Sequence, residues 1–354
     1  MELDFWKNKK VLVTGHTGFK GSWLTLWLQM LGARVIGYSL RPTSRYNMYD
    51  LASISDGTTS VIGDIRDRVK LDNCIQEHQP EIIFHLAAQP LVLQSYRDPV
   101  ETFATNVMGT VNILEAARQT DSVKVIINVT SDKAYENKEW IWSYRENEQM
   151  GGHDPYSASK GCSELITSAY RNSFFGDNRI AIATARAGNV IGGGDWSENR
   201  IIPDILRAIT EQLPLQLRNP HAIRPWQHVI DPIHGYLLLA SLAWENSEYA
   251  QAWNFGPPDN QTFTVQQLIQ QFSLHLGQEP SVIADRDVSQ FHEATYLKLD
   301  SSKAKQYLGW RTMLSLDESI KWTCEWYKAW IEGKDLRKLS LDQIRRFQKI
   351  ICVT

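Results

Sequence analysis

"TGHTGFKG", residues 14–21, is the stretch on which the fold turns. It follows directly on the apolar run Val11, Leu12, Val13 and opens a segment with Leu24, Leu28 and Leu31 on one side, so strand, loop and helix come in that order. Gly15, Gly18 and Gly21 recur at every third position. Glycine there permits a tight turn, close approach of backbone to a ligand, and close packing of the helix. The start of a helix offers free N–H donors and the positive end of its dipole, a seat for a pyrophosphate. Such spacing is weak evidence alone; between a strand and a helix it points to a dinucleotide.

The same alternation continues outward. Short apolar runs predict strands at 11–14, 34–38, 59–63, 82–86, 124–129 and 180–186, with helices near 18–31, 67–78, 99–119 and 155–174 between them. Repeated βαβ units of this kind give an α/β protein with a Rossmann-type, doubly wound parallel sheet. Trp23 and Trp27 lie beside the leucine stripe and are read as packing. After Gly188 the texture changes to Gly-, Pro- and Trp-rich loops, "GGGDW" (192–196) and "NPHAIRPW" (219–226), with isolated helical pieces at 202–211 and 232–246. A smaller C-terminal substrate-binding domain is expected there. The division is 1–188 with a return segment at about 230–256 for the cofactor, 189–229 and 257–335 for the substrate, and a tail, 336–354. The tail is basic and amphipathic and reads as a solvated terminal helix, not a membrane anchor.

With 37 basic and 40 acidic residues in 354, the chain has no electrostatic footprint for nucleic acid or an acidic membrane, so a small molecule is the expected partner. Its apolar runs are far shorter than the roughly 20 residues a membrane-spanning helix needs. The start, "MELDFWKNKK", lacks the apolar middle of a secretory signal, and a cytoplasmic protein is expected. Cys74, Cys162, Cys324 and Cys352 are scattered, and no histidines recur at metal-binding intervals, so neither a disulfide framework nor a metal site is expected.

"PYSASK", residues 155–160, sets Tyr156 and Lys160 four apart, on one helix face about 6 Å from each other. An ammonium beside a phenol favours the phenolate and is expected to draw the tyrosine pKa down, while also reaching the nicotinamide ribose. "VTSDK", residues 129–133, ends a buried strand in hydroxyl, carboxylate and ammonium. At the carboxyl end of a parallel strand these side chains enter the ligand crevice, where the Ser131 hydroxyl can hydrogen-bond a reacting oxygen. Ser131, Tyr156 and Lys160 support hydride transfer at a carbinol carbon. Asp132 and Lys133 add an acid and a base. Oxidation or inversion at a single carbinol carbon has no use for them, since hydride leaves and returns at one carbon. Elimination of water beside the ketone that oxidation makes needs both, one group for the acidified proton and one for the departing hydroxyl. Lys133 must then be neutral and Asp132 protonated, which for a carboxyl requires burial. Two other readings stay open: Lys133 only orients the 6-OH, or "SDK" is a solvated strand end with a local ion pair.

The spacing TGxxGxxG resembles the extended short-chain dehydrogenase/reductase superfamily, as do "GDIRD" (63–67), "HLAAQP" (85–90) and "TNVMGT" (105–110). The resemblance implies a cofactor held by Gly15, Thr17, Gly18, Phe19, Gly21, Ser39, Asp64, Ile65, Leu86, Ala87, Ala88, Gln89, Asn106, Tyr156 and Lys160, with Asp64 at the adenine. Many NAD-dependent relatives carry an acidic residue where Ser39 stands, and nearby Arg41 could pair with a 2′-phosphate, so the residues leave NAD and NADP open; the resemblance favours NAD. "TSDK" (130–133) further resembles the CDP-glucose 4,6-dehydratases, with Lys133 where the dTDP-glucose and GDP-mannose dehydratases carry glutamate. "GHTGFKGSWL" (15–24), "AAQPLV" (87–92), "YRENE" (144–148), "RAGNVIGGGDW" (186–196), "RIIPDILRA" (200–208), "NPHAIRPWQHV" (219–229), "WNFGP" (253–257) and "EATYLKLD" (293–300) extend that resemblance over roughly residues 1–335.

It implies conversion of CDP-D-glucose to CDP-4-dehydro-6-deoxy-D-glucose and water, in deoxysugar biosynthesis. The substrate would meet Gln89, Asn189, Arg200, Ile201, Arg224, His228 and Tyr296, with Asn189 and Arg224 at the diphosphate. A homodimer through a four-helix bundle of 99–119 and 155–174 is implied as well. The alternatives are a nucleotide-sugar 4-epimerase, a dehydratase of another nucleotide sugar, and an NAD-binding sensor or scaffold without turnover. His16, inside the loop, is given no chemistry.

Overall fold

Val11, Leu12 and Val13 put apolar side chains on both faces of the first strand, as a parallel sheet covered on both sides requires, and all three are buried. In the computed structural model, which describes residues 3–176, 179–217, 219–258, 263–284 and 297–353, this strand is β1 (Lys10–Thr14). It is joined by β2 (Arg34–Ser39), β3 (Thr58–Ile62), β4 (Ile82–His85), β5 (Val125–Val129) and β6 (Ala181–Ala187). A seventh strand, Ala252–Phe255, pairs with β6 after the helix Ile230–Glu245 has carried the chain back to the sheet. The seven lie in the order Ala252–Phe255, β6, β5, β4, β1, β2, β3, and every pairing is parallel. Leu12 stands opposite Ile36 on one side and Ile83 on the other. Chain order reverses between β1 and β4, so the loops leaving their carboxyl ends diverge and open a crevice.

One face of the sheet is covered by the helix Phe19–Met30, which buries Trp23, Leu24, Trp27 and Leu28; the two tryptophans are packing, as their place beside the leucine stripe suggested. The other face takes the helices Arg68–His78 and Gly109–Arg118 through Leu71, Ile75, Ile113 and Leu114. The helix expected near 99–119 begins at Pro99 under an Asp98 cap, whose carboxylate accepts from the Glu101 N–H at 2.9 Å. A π-turn at Ala104–Met108 interrupts it before Gly109–Arg118. The helix Pro155–Phe174 has Pro155 in its first turn and Asp154 as cap, accepting from the Ser157 N–H at 2.9 Å. In the smaller lobe, Val265–Leu276 packs on Leu316–Ile331, each opened by a capping box.

The tail does not stand free in solvent. Its helix, Leu336–Val353, repeats Leu336, Ser340, Ile344 and Phe347 along one face, and that stripe is buried. Phe347 meets Trp27 and His234 with ring centroids 5.7 Å away in each case. Trp326 Nε1 donates to Ser340 Oγ at 2.9 Å, and the Arg337 guanidinium donates to the carbonyls of Ala52 and Ser53. The amphipathic pattern therefore marks docking onto the helix Phe19–Met30. Phe347→Ala is expected to destabilise the protein by about 3–5 kcal/mol in chemical denaturation; a change within about 0.5 kcal/mol, the value for surface substitutions, would return the tail to solvent.

Candidate active site

Above the reversal point lies a cleft of about 1550 Å³. Its floor is the glycine loop. Gly15 has φ +75°, and a Cβ on it would lie 2.8 Å from the Ala87 nitrogen; a Cβ on Gly21 would lie 2.1 Å from the Gly15 carbonyl oxygen. Neither position admits a side chain. Gly18 precedes the helix Phe19–Met30 without laying a side chain across its first amides, so the helix N terminus opens on the cleft. Thr17 ties the loop to β2, its hydroxyl donating to the Leu40 carbonyl and pairing with Ser39 Oγ, both at 2.8 Å. His16 wedges under the loop against Gly37, with Nε2 2.7 Å from Ser60 Oγ, and burial holds its pKa down to about 4. It is a neutral structural group.

Phe19, Ser39, Arg41, Asp64, Ile65, Leu86, Ala87, Ala88 and Gln89 line the same cleft. Arg66 grips the Asp64 carboxylate through Nη2 at 2.6 Å, and that hydrogen bond holds its pKa below the ordinary value. Asn106 is a correction, because it is buried behind the wall. Its Oδ1 accepts from the Gln89 N–H at 2.8 Å, and its Nδ2 donates to the Gln89 carbonyl at 3.1 Å and to Ser159 Oγ at 2.8 Å. With both amide protons given and Oδ1 accepting, it fixes the Gln89 segment to the helix Pro155–Phe174 and does not line the cleft.

β5 ends at Val129, and the chain turns after Thr130 and Ser131 through a short 3₁₀ segment, Asp132–Ala134. Ser131 caps that turn: its Oγ accepts from the Lys133 N–H at 3.2 Å and donates to Asp132 Oδ1 at 3.0 Å, and it lies next to Tyr156. Ser131, Asp132, Tyr156 and Lys160 are buried, Lys133 is half-buried, and all five line the cleft. Burial pushes the Asp132 carboxyl up, against the Lys133 charge, the Ser131 hydrogen bond and Arg224, toward the protonated state an acid needs. The expected lowering of Tyr156 is overturned. Burial pushes its pKa up to about 12, with Ser131 opposing and the Asp132 charge adding. Burial also draws the Lys160 ammonium down to about 8, against Glu164. Both groups share a dry pocket that penalises phenolate and ammonium alike.

This arrangement has relatives. A family profile described as GDP-mannose 4,6 dehydratase matches residues 12–323. The chain belongs to that dehydratase family. A curated CDP-glucose 4,6-dehydratase of Salmonella typhimurium is 49% identical over 350 residues, covering 97% of each chain. A dTDP-glucose 4,6-dehydratase of Xanthomonas campestris is 27% identical over 91% of this chain and 95% of its own. Among solved structures, the UDP-glucose 4-epimerase of Thermotoga maritima with UDP-glucose superposes with a TM-score of 0.78 at 25% identity, over 91% of this chain and 99% of that one.

In this dehydratase the far end of the cleft is lined by Asn189, Arg200, Ile201 and Arg224. Arg200 Nη1 pairs with Asp195 Oδ2 at 3.1 Å, and Arg224 Nη1 donates to the Ile223 carbonyl at 3.0 Å. His228 is a second correction. The short strand Gln227–His228 pairs with Val190–Ile191 and turns the imidazole inward, edge-on between Trp23 and Trp322 at 6.1 and 5.8 Å. Burial holds its pKa near 3, and it is a core histidine away from the cleft. Tyr296 lies outside the described residues.

Lys20, which the sequence pattern did not single out, is a cleft residue. Its ammonium donates to the Tyr236 hydroxyl at 3.3 Å. Burial, then Arg200 and Lys160, pull its pKa to about 7. A lysine in the first helical turn after a glycine loop was the available signal. Arg207, a cleft residue seven positions after Arg200, was missed for lack of one.

The buried Lys160 carries a stability signature. Its folded pKa of about 8 lies below the unfolded value of about 10.4, so the penalty on the buried ammonium is complete below about pH 8 and fades as pH rises between the two values. Lys160→Met is expected to melt above the parent at about pH 7 and to lose that lead by about pH 10.5; equal melting temperatures at both would show that the lysine is solvated.

Proposed function

We propose that this protein is an NAD-dependent CDP-glucose 4,6-dehydratase, converting CDP-D-glucose to CDP-4-dehydro-6-deoxy-D-glucose and water. The observation that carries the reading is the buried Asp132 beside half-buried Lys133, on a turn whose Ser131 donates to Asp132 and lies next to Tyr156. The curated relative at 49% identity, itself a CDP-glucose 4,6-dehydratase, supports the choice of nucleotide.

The residues fit the cofactor: Gly15 and Gly21 leave room only for backbone, and the uncapped start of Phe19–Met30 suits a pyrophosphate. Gly15, Thr17, Gly18, Phe19 and Gly21 would hold that group, Ser39, Asp64 and Ile65 the adenosine, and Leu86, Ala87, Ala88, Gln89, Tyr156 and Lys160 the nicotinamide end. Bound NAD supplies the acceptor for the C4 hydride and returns it to C6. The positive charge of Lys160 and of bound NAD would favour the Tyr156 phenolate, which then takes the proton of the 4-OH while Ser131 offers a hydrogen bond to the same oxygen. The resulting C4 ketone makes the C5 proton acidic; Lys133 removes it, and Asp132 protonates the departing 6-OH as water. Lys133 then returns its proton to C5. Tyr156 has gained one proton and Asp132 has lost one; return of a proton from Tyr156 to Asp132, for which Ser131, bonded to Asp132 and next to Tyr156, offers a path, closes the balance. Asn189, Arg200 and Arg224 supply amide and guanidinium donors for the diphosphate.

We divide the chain into a cofactor domain, 1–188 with about 230–256, and a substrate domain, 189–229 with 257–335. The seventh strand, Ala252–Phe255, supports the return segment. A cytoplasmic homodimer serving deoxysugar biosynthesis, such as that of lipopolysaccharide O-antigen, completes the reading. Val100 (77% exposed), Phe103 and Met108 on one helical run and Leu165 (61%) and Phe174 on the other support a bundle of these helices between two copies.

Incubation with CDP-, dTDP-, UDP- and GDP-glucose is expected to yield a product lighter by water with the CDP-sugar. Unchanged mass with inverted C4 would mean an epimerase, and no reaction a binder. Asp132→Asn should slow water loss by about 100- to 10,000-fold; full activity in that variant would remove the acid from the account. For the dimer, Leu165→Arg is expected to give a monomer in light scattering, and an unchanged mass would exclude that face.

A further inference from the structure

The turn that carries Ser131, Asp132 and Lys133 is held at both of its flanks by one ion pair. Glu164 lies one helical turn past Lys160 and, with Arg186 of β6, is buried: the two side chains are each 4% exposed. Arg186 forks onto the carboxylate, Nη2 to Oε2 at 2.7 Å and Nε to Oε1 at 2.9 Å. The carboxylate also accepts from Thr130, the residue before Ser131, and from Thr184 of β6 at 2.7 Å. From the other side of the pair, Arg186 Nη1 donates to the Tyr135 hydroxyl at 2.6 Å and to the Glu146 carbonyl at 3.0 Å. Tyr135 is the second residue after Lys133, and its own hydroxyl proton goes to Asn254 Oδ1 at 2.8 Å.

We infer that the Glu164–Arg186 pair is the positioning device of this turn, setting its acid and base in register with Tyr156 and Lys160; the inference rests on the dehydratase reading above. Stability alone does not account for the pair, because apolar residues of similar volume commonly serve a core as well or better. What an apolar substitute cannot do is bond the two flanks of one turn to the helix that carries the other catalytic side chains. Neither Glu164 nor Arg186 lines the cleft, so both act through the turn. Displacing reacting groups by about 1 Å can slow a step by about 100-fold.

Glu164→Gln would leave the Arg186 charge buried and unpaired and is expected to prevent folding, so the anchors are the place to test. Tyr135→Phe and Thr130→Val each release one flank, and Ile182→Val, in the core of β6 away from the turn, serves as the stability control. In a single turnover of CDP-glucose on the NAD-loaded enzyme, each anchor variant should slow water loss by about 10-fold or more relative to oxidation at C4. A sugar nucleotide lighter by two hydrogens but still bearing its 6-OH should then accumulate. Amide hydrogen exchange over 130–136 should quicken in both anchor variants, with Ile182→Val keeping the parental exchange and step ratio. Anchor variants that melt lower yet keep the parental step ratio would overturn the inference. A parent enzyme that returns CDP-glucose at unchanged mass would instead overturn the dehydratase reading, and this inference with it.

Discussion

Removal of water from the end of β5 is the constraint on which the remaining chemistry depends. Asp132, Tyr156 and Lys160 meet there in a pocket where no charge is solvated. The penalty favours a carboxyl over a carboxylate, which suits Asp132 as an acid, and it also raises the Tyr156 phenol and lowers the Lys160 ammonium. Tyr156 and Lys160 therefore do not form the self-sufficient phenolate pair that their spacing suggests. The charge that turns Tyr156 into a base must arrive with ligand or move along hydrogen bonds already in place.

The sheet makes such a pocket possible. A parallel sheet buried on both faces delivers strand ends into one crevice, and the reversal between β1 and β4 keeps that crevice open. Groups that could compete for protons are kept out of play by the same burial. Thr14 Oγ1 meets His85 Nδ1 at 2.8 Å, and burial holds the His85 pKa near 3. His16 and His228 are likewise neutral. The cleft, in contrast, is lined by the basic residues Lys20, Arg200, Arg207 and Arg224, which suit an anionic ligand, although the chain as a whole carries a slight negative charge.

The two walls of the cleft come from distant parts of the chain, and aromatic rings join them. Tyr46, in the loop after β2, packs on Trp196 of the "GGGDW" loop at 5.3 Å and on Trp330 at 5.1 Å, and Trp196 meets Trp330 at 4.6 Å. Gly193 and Gly194 are glycine because Trp326 and Met48 occupy the space a Cβ would need, 1.9 and 2.7 Å away. The tail helix, docked on Trp27, braces the same side.

Local patterns determined a good deal by themselves. The strand, loop and helix around residues 14–21, the βαβ alternation that calls for a parallel sheet, and the pairing of Tyr156 with Lys160 follow from periodicity, glycine spacing and helical geometry, which act over a few residues, while the grouping of Ser131, Asp132 and Lys133 with them was legible through family resemblance. Tertiary structure alone decided the rest, because solvent exposure is a property of the whole fold. It turned His228 into a core ring, closed Asn106 on Gln89, docked the tail and brought Lys20 to the cleft wall. It also reversed the direction in which the Tyr156 phenol is shifted, since four residues of spacing state how near an ammonium lies and say nothing of the water that both groups lose. The joining of Thr130, Tyr135, Glu164 and Arg186 across four segments has no local signature at all; only packing brings those side chains within hydrogen-bonding reach.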